Sequence, residues 1–390
     1  MDFNLYSEEI IEKMRNITII FRTTNSCNLD CKYCYDKENH RQKDMENKYF
    51  KAKIPSIINN IKYLWKDKKA KCEIIFHGGE PLVINPENYE ELISEIKKEY
   101  PKAIISIQTN GTLINEKFIK LFKKYNIHLG ISLDGYNEIT NKNRVFCNGN
   151  NSFNIVIKNI EMLKNNNVKF GIIMTLTSEV LGKEKELYEF ISKNKLKCNI
   201  RPAFKSNDLN VDYMTDEQYF EFFKRLFMIW INDQEKKVKI TQIRELYDEF
   251  AKVLEPTYNN KSCSNSGKCF YDFISLDCEG NLYSCNRTYN NKDFYYGKIS
   301  ELSEEELKKK MAQRICERKI LINNSQCKDC ELFDECHGGC PANGYILSNN
   351  NMGIDKSFCI AKRKIRHFVK KYLQENNLKT QYIEMRKNEK

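Results

Sequence analysis

A chain of 390 residues, 41% of them hydrophobic, is long enough to bury a large core, and two domains are expected. No apolar run approaches the ~18 residues of a membrane span, and residues 1–15 lack a signal-peptide core. We therefore expect a cytoplasmic protein with no membrane partner. The net charge of +11 hints at nucleic acid, but no basic stripe interleaved with aromatic residues stands out, which disfavours that partner.

Six short apolar segments alternate with helical segments in the first half of the chain. Strands are predicted at 16–22, 72–77, 103–109, 128–133, 169–176 and 197–203. Helices are predicted between them at 48–65, 87–100, 115–124, 153–165 and 183–194. This alternation is typical of parallel βαβ units, so we predict an α/β fold, either a doubly wound sheet or a barrel.

The first predicted strand runs directly into a loop that contains Cys27, Cys31 and Cys34. Sixteen cysteines in a cytoplasmic chain indicate metal ligands rather than disulfides. A [4Fe–4S] cube bound by three thiolates leaves one iron open for a substrate or cofactor. Structural cysteines or a partial zinc site are the alternatives, but zinc needs a fourth ligand that the loop does not offer.

This loop, with Tyr33 directly before its last cysteine, resembles the cluster loop of the radical S-adenosylmethionine (SAM) enzymes. The resemblance implies that the open iron binds the amino and carboxylate groups of SAM. Reduction then yields methionine and a 5′-deoxyadenosyl radical, which removes a hydrogen atom from the substrate. The resemblance favours a partial (β/α)6 barrel with its chemistry at the C-terminal strand ends, and it implies an electron donor such as flavodoxin or ferredoxin.

Polar motifs follow the second, third and fourth predicted strands. Consecutive glycines in His-Gly-Gly-Glu-Pro, at 77–81, allow close approach of a ligand to the backbone, although a tight turn is the alternative. The later Asn-Gly and Asp-Gly pairs are explained by turn chemistry. The resemblance implies that the backbone of 78–80 meets the SAM ammonium, that Ser132 reaches the ribose or carboxylate, and that Arg144 binds the carboxylate. The predicted cofactor-binding residues are Tyr33, Gly78, Gly79, Glu80, Gln108, Ser132 and Arg144.

The pattern changes between residues 206 and 260, where two amphipathic helical stretches, 216–234 and 240–254, have no strand between them. Aromatic residues at helical spacing usually belong to the core. We interpret this segment as a helical bridge. The predicted organisation is a barrel at 1–205, the bridge at 206–260, a cysteine-rich domain with a closing helix at 261–375, and a charged tail at 376–390.

A second set of cysteines occupies residues 263–359, and its spacing alone permits either zinc or iron–sulfur clusters. The set resembles the SPASM domain of radical SAM peptide-modifying enzymes, above all the anaerobic sulfatase-maturating enzymes. The resemblance implies two auxiliary [4Fe–4S] clusters, and thus three clusters in all. Their ligands would be Cys263, Cys269, Cys285 and Cys340 for the first, and Cys327, Cys330, Cys336 and Cys359 for the second.

A hairpin is predicted at 273–283, with its turn at 279–281. Five further cysteines lie outside these sets. We predict that Cys72 and Cys198 are small core residues. No role is predicted for the other three, which are Cys147, Cys278 and Cys316.

The residue after the hairpin cysteine departs from the sulfatase-maturase pattern. Those enzymes carry Asp there as a catalytic base, whereas Asn286 follows Cys285 in this chain. Asn cannot take up a proton near neutral pH. Asp36, two residues after Cys34, is our candidate for a relocated base with a pKa raised by burial; a loop-capping role is the alternative.

The predicted function is a radical SAM/SPASM oxidoreductase, with Asp36 and Asn286 at its catalytic site, that oxidises or crosslinks a ribosomal peptide or a protein through a thioether or carbon–carbon bond. A sulfatase maturase with a relocated base is one alternative. An iron–sulfur electron-transfer protein is another, against which the intact loop argues. With the cluster loop starting at Cys27, we expect no room for a leader-binding module. A separate leader-binding protein or a barrel surface would then recognise the peptide.

Overall fold

The computed structural model describes residues 17–41, 47–67, 72–203, 211–235, 237–239, 242–254, 263, 267, 269–348 and 353–376. The predicted tail at 376–390 lies outside these residues except for Asn376, as do residues 206–210 and 255–260 of the predicted bridge. Within these ranges, no helix combines the length and hydrophobicity that crossing a membrane requires.

In the part of the chain that the structure describes, a single sheet of nine strands forms the centre, in the order β6-β5-β4-β3-β2-β1-β7-β8-β9. Its first six strands run parallel. They are β1 (Thr18–Thr24), β2 (Glu73–Gly78), β3 (Ile104–Thr109), β4 (His128–Ser132), β5 (Phe170–Leu176) and β6 (Cys198–Pro202). Their spatial order follows the chain without the reversal of a doubly wound sheet. The predicted parallel βαβ architecture is confirmed, and this order favours the barrel alternative.

A helix follows each of the first five strands. These helices are α1 (Asn47–Leu64), α2 (Pro86–Glu99), α3 (Glu116–Tyr125), α4 (Phe153–Asn165) and α5 (Glu184–Asn194). Alternate strand side chains, such as Ile74 and Phe76 of β2, are fully buried. The opposite face of β2 carries the half-buried Ile75 and His77. This alternation leaves polar side chains at the strand ends free to line a cavity.

Two helices, α6 (Asp216–Asn232) and α7 (Arg244–Leu254), lie where the bridge is predicted. Thr215 begins α6 with a capping box, in which its side chain accepts from the Gln218 N–H group and the Gln218 side chain accepts from the Thr215 N–H group. The α6 residue Phe227 packs at 5.5 Å from Phe368 and 5.4 Å from Tyr372, measured between ring centroids. The bridge is therefore fastened to the last helix of the described chain.

The cysteine-rich region continues the barrel sheet instead of forming a sheet of its own. The added strands are β7 (Phe273–Asp277), β8 (Asn281–Tyr283) and β9 (Tyr295–Lys298). Strand β7 pairs parallel with β1, with Ile274 opposite Ile19. The predicted hairpin is confirmed as β7–β8, and Gly280 (φ +84°) sits in its turn.

Three longer helices complete this region: α8 (Glu304–Asn323), α9 (Pro341–Ser348) and α10 (Cys359–Glu375). Short helical turns at Cys269–Asp272 and Phe333–Cys336 separate the cysteines. The turn between β7 and β8 is tied to α1, because Glu279 accepts from Tyr49 (2.9 Å) and from Lys53 (2.8 Å). The predicted boundary between barrel and cysteine-rich domain stays a prediction.

Candidate functional site

A cavity of about 370 Å³ lies at the C-terminal ends of the parallel strands. The cysteine loop, the 78–80 turn and the ends of β3 to β6 surround it. The structure brings together the three loop cysteines, the seven predicted cofactor-binding residues and Asp36. These lining residues are Cys27, Cys31, Cys34, Tyr33, Gly78, Gly79, Glu80, Gln108, Ser132, Arg144 and Asp36.

The cysteine loop is held in place by the segment that follows β4. Its Asp30 N–H donates to the carbonyl of Val145 (2.8 Å), and its Lys32 N–H donates to that of Asn143 (3.0 Å). Burial raises the pKa of all three thiols, that of Cys34 to about 12. Because a metal ligand must be a thiolate, loading this site would release protons.

The donor set of the loop fits three corners of a [4Fe–4S] cube. Three thiols face one cavity, and two of them have nitrogen donors nearby: Arg144 Nη1 lies 4.0 Å from Cys31 Sγ, and Asn110 Nδ2 lies 3.9 Å from Cys27 Sγ. Among the described residues, no three His, Cys, Asp or Glu side chains are arranged around a single metal ion. Thiolates of a cube bind separate irons, so a cube does not require that arrangement.

Arg144 is oriented by a carboxylate that the sequence analysis explained only as part of a turn. Its Nε donates to Asp134 (2.9 Å), and its guanidinium lies 5.6 Å from the centroid of the Tyr33 ring. The Tyr33 hydroxyl donates to the same carboxylate of Asp134. A cation and an aromatic ring are thus fixed beside the cysteine loop, with the cation directed into the cavity.

The 78–80 turn crosses close to the backbone at the end of β1 and just beyond it. A Cβ on Gly79 would lie 2.1 Å from the Ser26 carbonyl oxygen, so only glycine fits. Glu80 accepts hydrogen bonds from Thr109 Oγ1 (2.6 Å) and from the N–H groups of Asn110 (2.7 Å) and Leu82 (2.9 Å). These hydrogen bonds lower the pKa of Glu80, but the effect of burial is larger and raises the pKa to about 7. Glu80 therefore anchors the β2 turn to the end of β3.

The remaining predicted cofactor-binding pair lies on neighbouring strands. Gln108 Nε2 on β3 donates to Ser132 Oγ on β4 (3.2 Å). Gly130 makes room for this contact, since a Cβ there would lie 2.1 Å from Gln108 Oε1. Both side chains face the cavity.

Asp36 and Asn286 are connected through Arg22, which the sequence analysis did not single out. The guanidinium of Arg22 donates to Asp36 Oδ2 (2.5 Å) and to Asn286 Oδ1 (3.3 Å). All three side chains are buried. The sequence does offer one sign of this network. Arg22 ends a largely apolar strand, and a charged side chain there needs a buried partner.

The expected raised pKa of Asp36 is wrong. Burial would raise it, but hydrogen bonds from His40 and Arg22 and the positive charge of Arg22 together lower the pKa of Asp36 below its usual value. Asn39 Nδ2 adds a further hydrogen bond (2.7 Å). The side chain is therefore an ionised carboxylate at neutral pH and a weak base, because it is already bound to a cation.

Four further residues line the cavity on its outer side: Tyr35, His77, Arg287 and Ile346. Asn286 is buried next to two of them. Asn286 Nδ2 lies 3.4 Å from both Tyr35 Oη and His77 Nδ1. Arg287 lies under the Tyr35 ring, 5.4 Å from its centroid. Tyr35 and Ile346 are exposed large hydrophobic side chains that also line the cavity. The sequence analysis missed Tyr35, Arg287 and Ile346, because the fold brings them together from segments far apart in the chain.

The first predicted quartet of cysteines comes together beside Asn286. The Cys269 thiol interacts with the thiols of the other three members, and burial together with these charges raises its pKa well above the usual value. Arg287 Nη1 lies 3.8 Å from Cys340 Sγ. The quartet consists of Cys263, Cys269, Cys285 and Cys340.

The second predicted quartet lines a smaller cavity of about 40 Å³. Its members are Cys327, Cys330, Cys336 and Cys359. Arg363 Nη2 lies 3.8 Å from Cys330 Sγ. Each quartet therefore offers four thiols, a set that fits a fully ligated cube.

The other five cysteines lie apart from these groups. Cys72 and Cys198 are buried in the core, each 4% exposed. Cys278 is buried with its Sγ 3.4 Å from the Thr23 carbonyl oxygen. Cys147 is exposed, and Cys316 is half-buried on α8.

The chain is similar to known proteins over most of its length. The Radical SAM superfamily model matches residues 21–191. A cysteine-type anaerobic sulfatase-maturating enzyme of Clostridium novyi is 28% identical to this chain. The match covers 95% of this chain and 98% of that enzyme. The radical SAM cyclopropyl synthase TigE of Paramaledivibacter caminithermalis is 26% identical, and the match covers 92% of this chain and 75% of TigE.

A solved structure of native anSMEcpe with bound AdoMet and a Cp18Cys peptide has the same fold, with a TM-score of 0.75 and 22% identity. The match covers 94% of this chain and 99% of that chain. The comparisons support SAM and an iron–sulfur cluster as cofactors of this chain. The chain carries a radical SAM domain at residues 21–191 and is similar over most of its length to an anaerobic sulfatase-maturating enzyme and to a radical SAM peptide maturase.

Proposed function

We propose that this radical SAM enzyme oxidises or crosslinks a side chain or backbone carbon of a ribosomal peptide or a protein in the cavity at the strand ends. One observation carries the proposal: a single cavity joins the three-cysteine loop to the network around Asn286, which directly follows a cysteine of the first quartet. When bound, SAM and the clusters supply the 5′-deoxyadenosyl radical and an acceptor for the electron left on the substrate.

The side chains on the barrel side of the cavity hold SAM. Arg144 offers a guanidinium, fixed by Asp134, to the SAM carboxylate. Ser132, steadied by Gln108, faces the ribose or carboxylate, and the backbone of 78–80 faces the ammonium group. The Tyr33 ring packs against the guanidinium of Arg144.

The outer side of the cavity receives the peptide. Tyr35 and Ile346 offer exposed apolar surface at its rim, and Asn286 presents an amide to the peptide backbone. Arg22 holds Asn286 in place through its hydrogen bond to Oδ1. Because Asp36 forms an ion pair with Arg22, we propose that Asp36 holds Arg22 in place. Catalysis by Asp36 as a base would be an alternative result of the mutagenesis described below.

The two quartets complete the proposed cofactor set. With the cysteine loop they would hold three [4Fe–4S] clusters, the second and third each with four protein ligands. The first quartet lies next to Asn286, on the substrate side of the cavity, where an electron acceptor is useful. An external donor such as flavodoxin or ferredoxin supplies the reducing electron, and a separate leader-binding protein is a further proposed partner.

Formylglycine formation on a sulfatase is the second candidate function. It is favoured by the coverage of the Clostridium novyi sulfatase-maturating enzyme, which extends over 95% of this chain. Against it stands Asn286 at the position where the resemblance implies a basic Asp. The two candidate functions therefore require different residues at one buried position, where Asn286 contacts Arg22 and Tyr35.

The test is anaerobic turnover with SAM, dithionite and a synthetic sulfatase peptide that carries the target cysteine. We expect 5′-deoxyadenosine from the wild type, but no formylglycine. Asn286→Asp is expected to form formylglycine if that carboxylate is all that separates the two activities. Formylglycine from the wild type would overturn the main proposal in favour of a maturase, and absence of 5′-deoxyadenosine would overturn both. Asn290→Asp, an exposed neighbouring change, is the matched control.

A further inference from the structure

Arg318 on α8 is a buried arginine that lies between the two cysteine quartets, and nothing in the proposed reaction yet uses it. Its side chain is only 7% exposed. Its Nη2 donates to the carbonyls of Gly338 (2.8 Å), Gly339 (2.9 Å) and His337 (3.4 Å), and its Nη1 donates to that of Gly353 (2.5 Å). A buried guanidinium with this many backbone bonds is strongly fixed.

The segment that Arg318 holds is the shortest covalent link between the quartets. Residues 337–339 connect Cys336, a member of the second quartet, directly to Cys340 of the first. All three have positive φ angles, +50°, +78° and +72°. Such a run is unfavourable for His337 and leaves the backbone without a regular hydrogen-bond ladder. The bonds from Arg318 supply that missing stabilisation.

The other side of the same segment packs closely against Asp355. On that side, a Cβ on Gly339 would lie 2.6 Å from Asp355 Cβ. Asp355 Oδ2 accepts from the Cys340 N–H group (3.3 Å). The link is therefore clamped between Arg318 and Asp355, which fixes how far Cys336 lies from Cys340.

The charge of Arg318 also acts on both quartets. Burial lowers its pKa, and the nearby thiols oppose that shift. The opposing thiols belong to both sets: Cys340 and Cys269 from the first, Cys327 and Cys336 from the second. An arginine stays protonated in proteins, so a permanent positive charge lies within electrostatic reach of two anionic sites. Arg287 and Arg363, by contrast, each have one quartet as neighbour.

We propose that Arg318 is a positioning residue that sets the separation of the two auxiliary clusters and raises the reduction potential of both. The inference rests on the proposed function, because it needs both quartets to hold clusters. A positive charge stabilises the reduced, more negative form of a cluster, and hydrogen bonding and net charge are known to set such potentials. Arg318 thereby makes the two clusters one electron-accepting unit.

The experiment is an anaerobic redox titration, followed by electron paramagnetic resonance, of the reconstituted full chain. We compare wild type, Arg318→Gln, Arg318→Lys and the control Lys319→Gln, which removes the same charge from an exposed neighbour. In Arg318→Gln we expect both auxiliary potentials to fall by at least about 59 mV, a tenfold change for one electron. The potential of the cluster in the loop beside Arg144 should stay unchanged.

Iron counts separate the outcomes. Arg318→Gln with about twelve irons and unchanged auxiliary potentials would overturn the inference. Selective loss of auxiliary iron in Arg318→Gln, but not in Lys319→Gln, would support the positioning role. If Arg318→Gln is insoluble, Arg318→Lys decides: it keeps the charge but loses the fork of donors, so unchanged potentials and iron in this variant would overturn the positioning claim. A wild type with only about four irons would instead refute the auxiliary clusters of the proposed function.

Discussion

Three buried arginine side chains organise the polar contacts around the cysteine groups. Arg22 joins Asp36 to Asn286, Arg144 is held by Asp134, and Arg318 clamps the link between the cysteine quartets. Each is less than a tenth exposed. Anionic clusters need nearby positive charge, and a guanidinium supplies it without the loss of a proton.

The Arg22–Asp36 pair should be strongly coupled. Asp36→Asn leaves Arg22 buried without its charge partner, and breaking a buried pair typically costs about 3–5 kcal/mol. Removing both charges in Arg22→Gln/Asp36→Asn should cost less than the sum of the single changes. Anaerobic melting temperatures of the four proteins measure this coupling. Strictly additive losses would contradict it, and loss of product in Asp36→Asn at unchanged stability would instead revive the relocated base.

Arg144→Ala should weaken SAM binding about 10- to 100-fold, because a charge-assisted contact to a carboxylate is worth about 1.5–3 kcal/mol. Equilibrium binding of SAM to the reconstituted protein is the measurement. Since the single change leaves Asp134 buried without its cation, Arg144→Ala/Asp134→Asn is the companion variant. It should regain stability while SAM binding stays weak. Wild-type affinity in both variants would remove Arg144 from the site.

Glu80 should make stability depend on pH. Its pKa is raised from 4.5 to about 7, so between these values the folded state binds more protons than the unfolded state. Stability therefore falls as pH rises through that window, by about 3 kcal/mol in total. Glu80→Gln should remove this slope, whereas Glu116→Gln, on the exposed start of α3, should keep it. If the stabilities of wild type and Glu80→Gln change in parallel from about pH 5 to 8, the raised pKa of Glu80 is contradicted.

At the scale of single elements, the cysteine loop is a self-contained donor set. Replacing Cys27, Cys31 and Cys34 by Ala should lower the iron content of the reconstituted chain from about twelve to about eight, at four per cluster. Cleavage of SAM should be lost. Cys147→Ser, which removes an exposed cysteine outside the three sets, should change neither quantity. A loss of all iron in the triple variant would show that the loop and the quartets are not independent.

The elements themselves could be predicted because their signals are local. The helix predicted at 153–165 coincides with α4, and the other four barrel helices agree within one residue at each end. The Arg22–Asn286 contact could not be predicted in this way, since it joins residues 264 positions apart. The ion pair of Asp36 was missed for a related reason: burial was foreseen, but a cation from the strand before the loop was not.

At the scale of the whole molecule, the barrel and the cysteine-rich region share one sheet. Strand β1 lies between β2 and β7, so the C-terminal hairpin covers what would be an edge of the barrel sheet. The aromatic face of α6 is likewise covered by α10 through Phe227, Phe368 and Tyr372. Neither surface is suited to water, because an open strand edge and an apolar helix face both promote association.

A chain ending at Leu254 should therefore aggregate, although it retains all six parallel strands, the cysteine loop and α6 and α7. Size-exclusion chromatography of the anaerobically produced fragment is the measurement. The control is the full chain with the eight quartet cysteines replaced by Ser, which keeps β7 and α10 but holds no auxiliary cluster. This control should stay soluble if side-chain and strand packing, rather than the auxiliary clusters, holds the barrel and the cysteine-rich region together. A monomeric fragment that takes up about four irons would show instead that the barrel folds alone, as the predicted boundary at residue 205 implies.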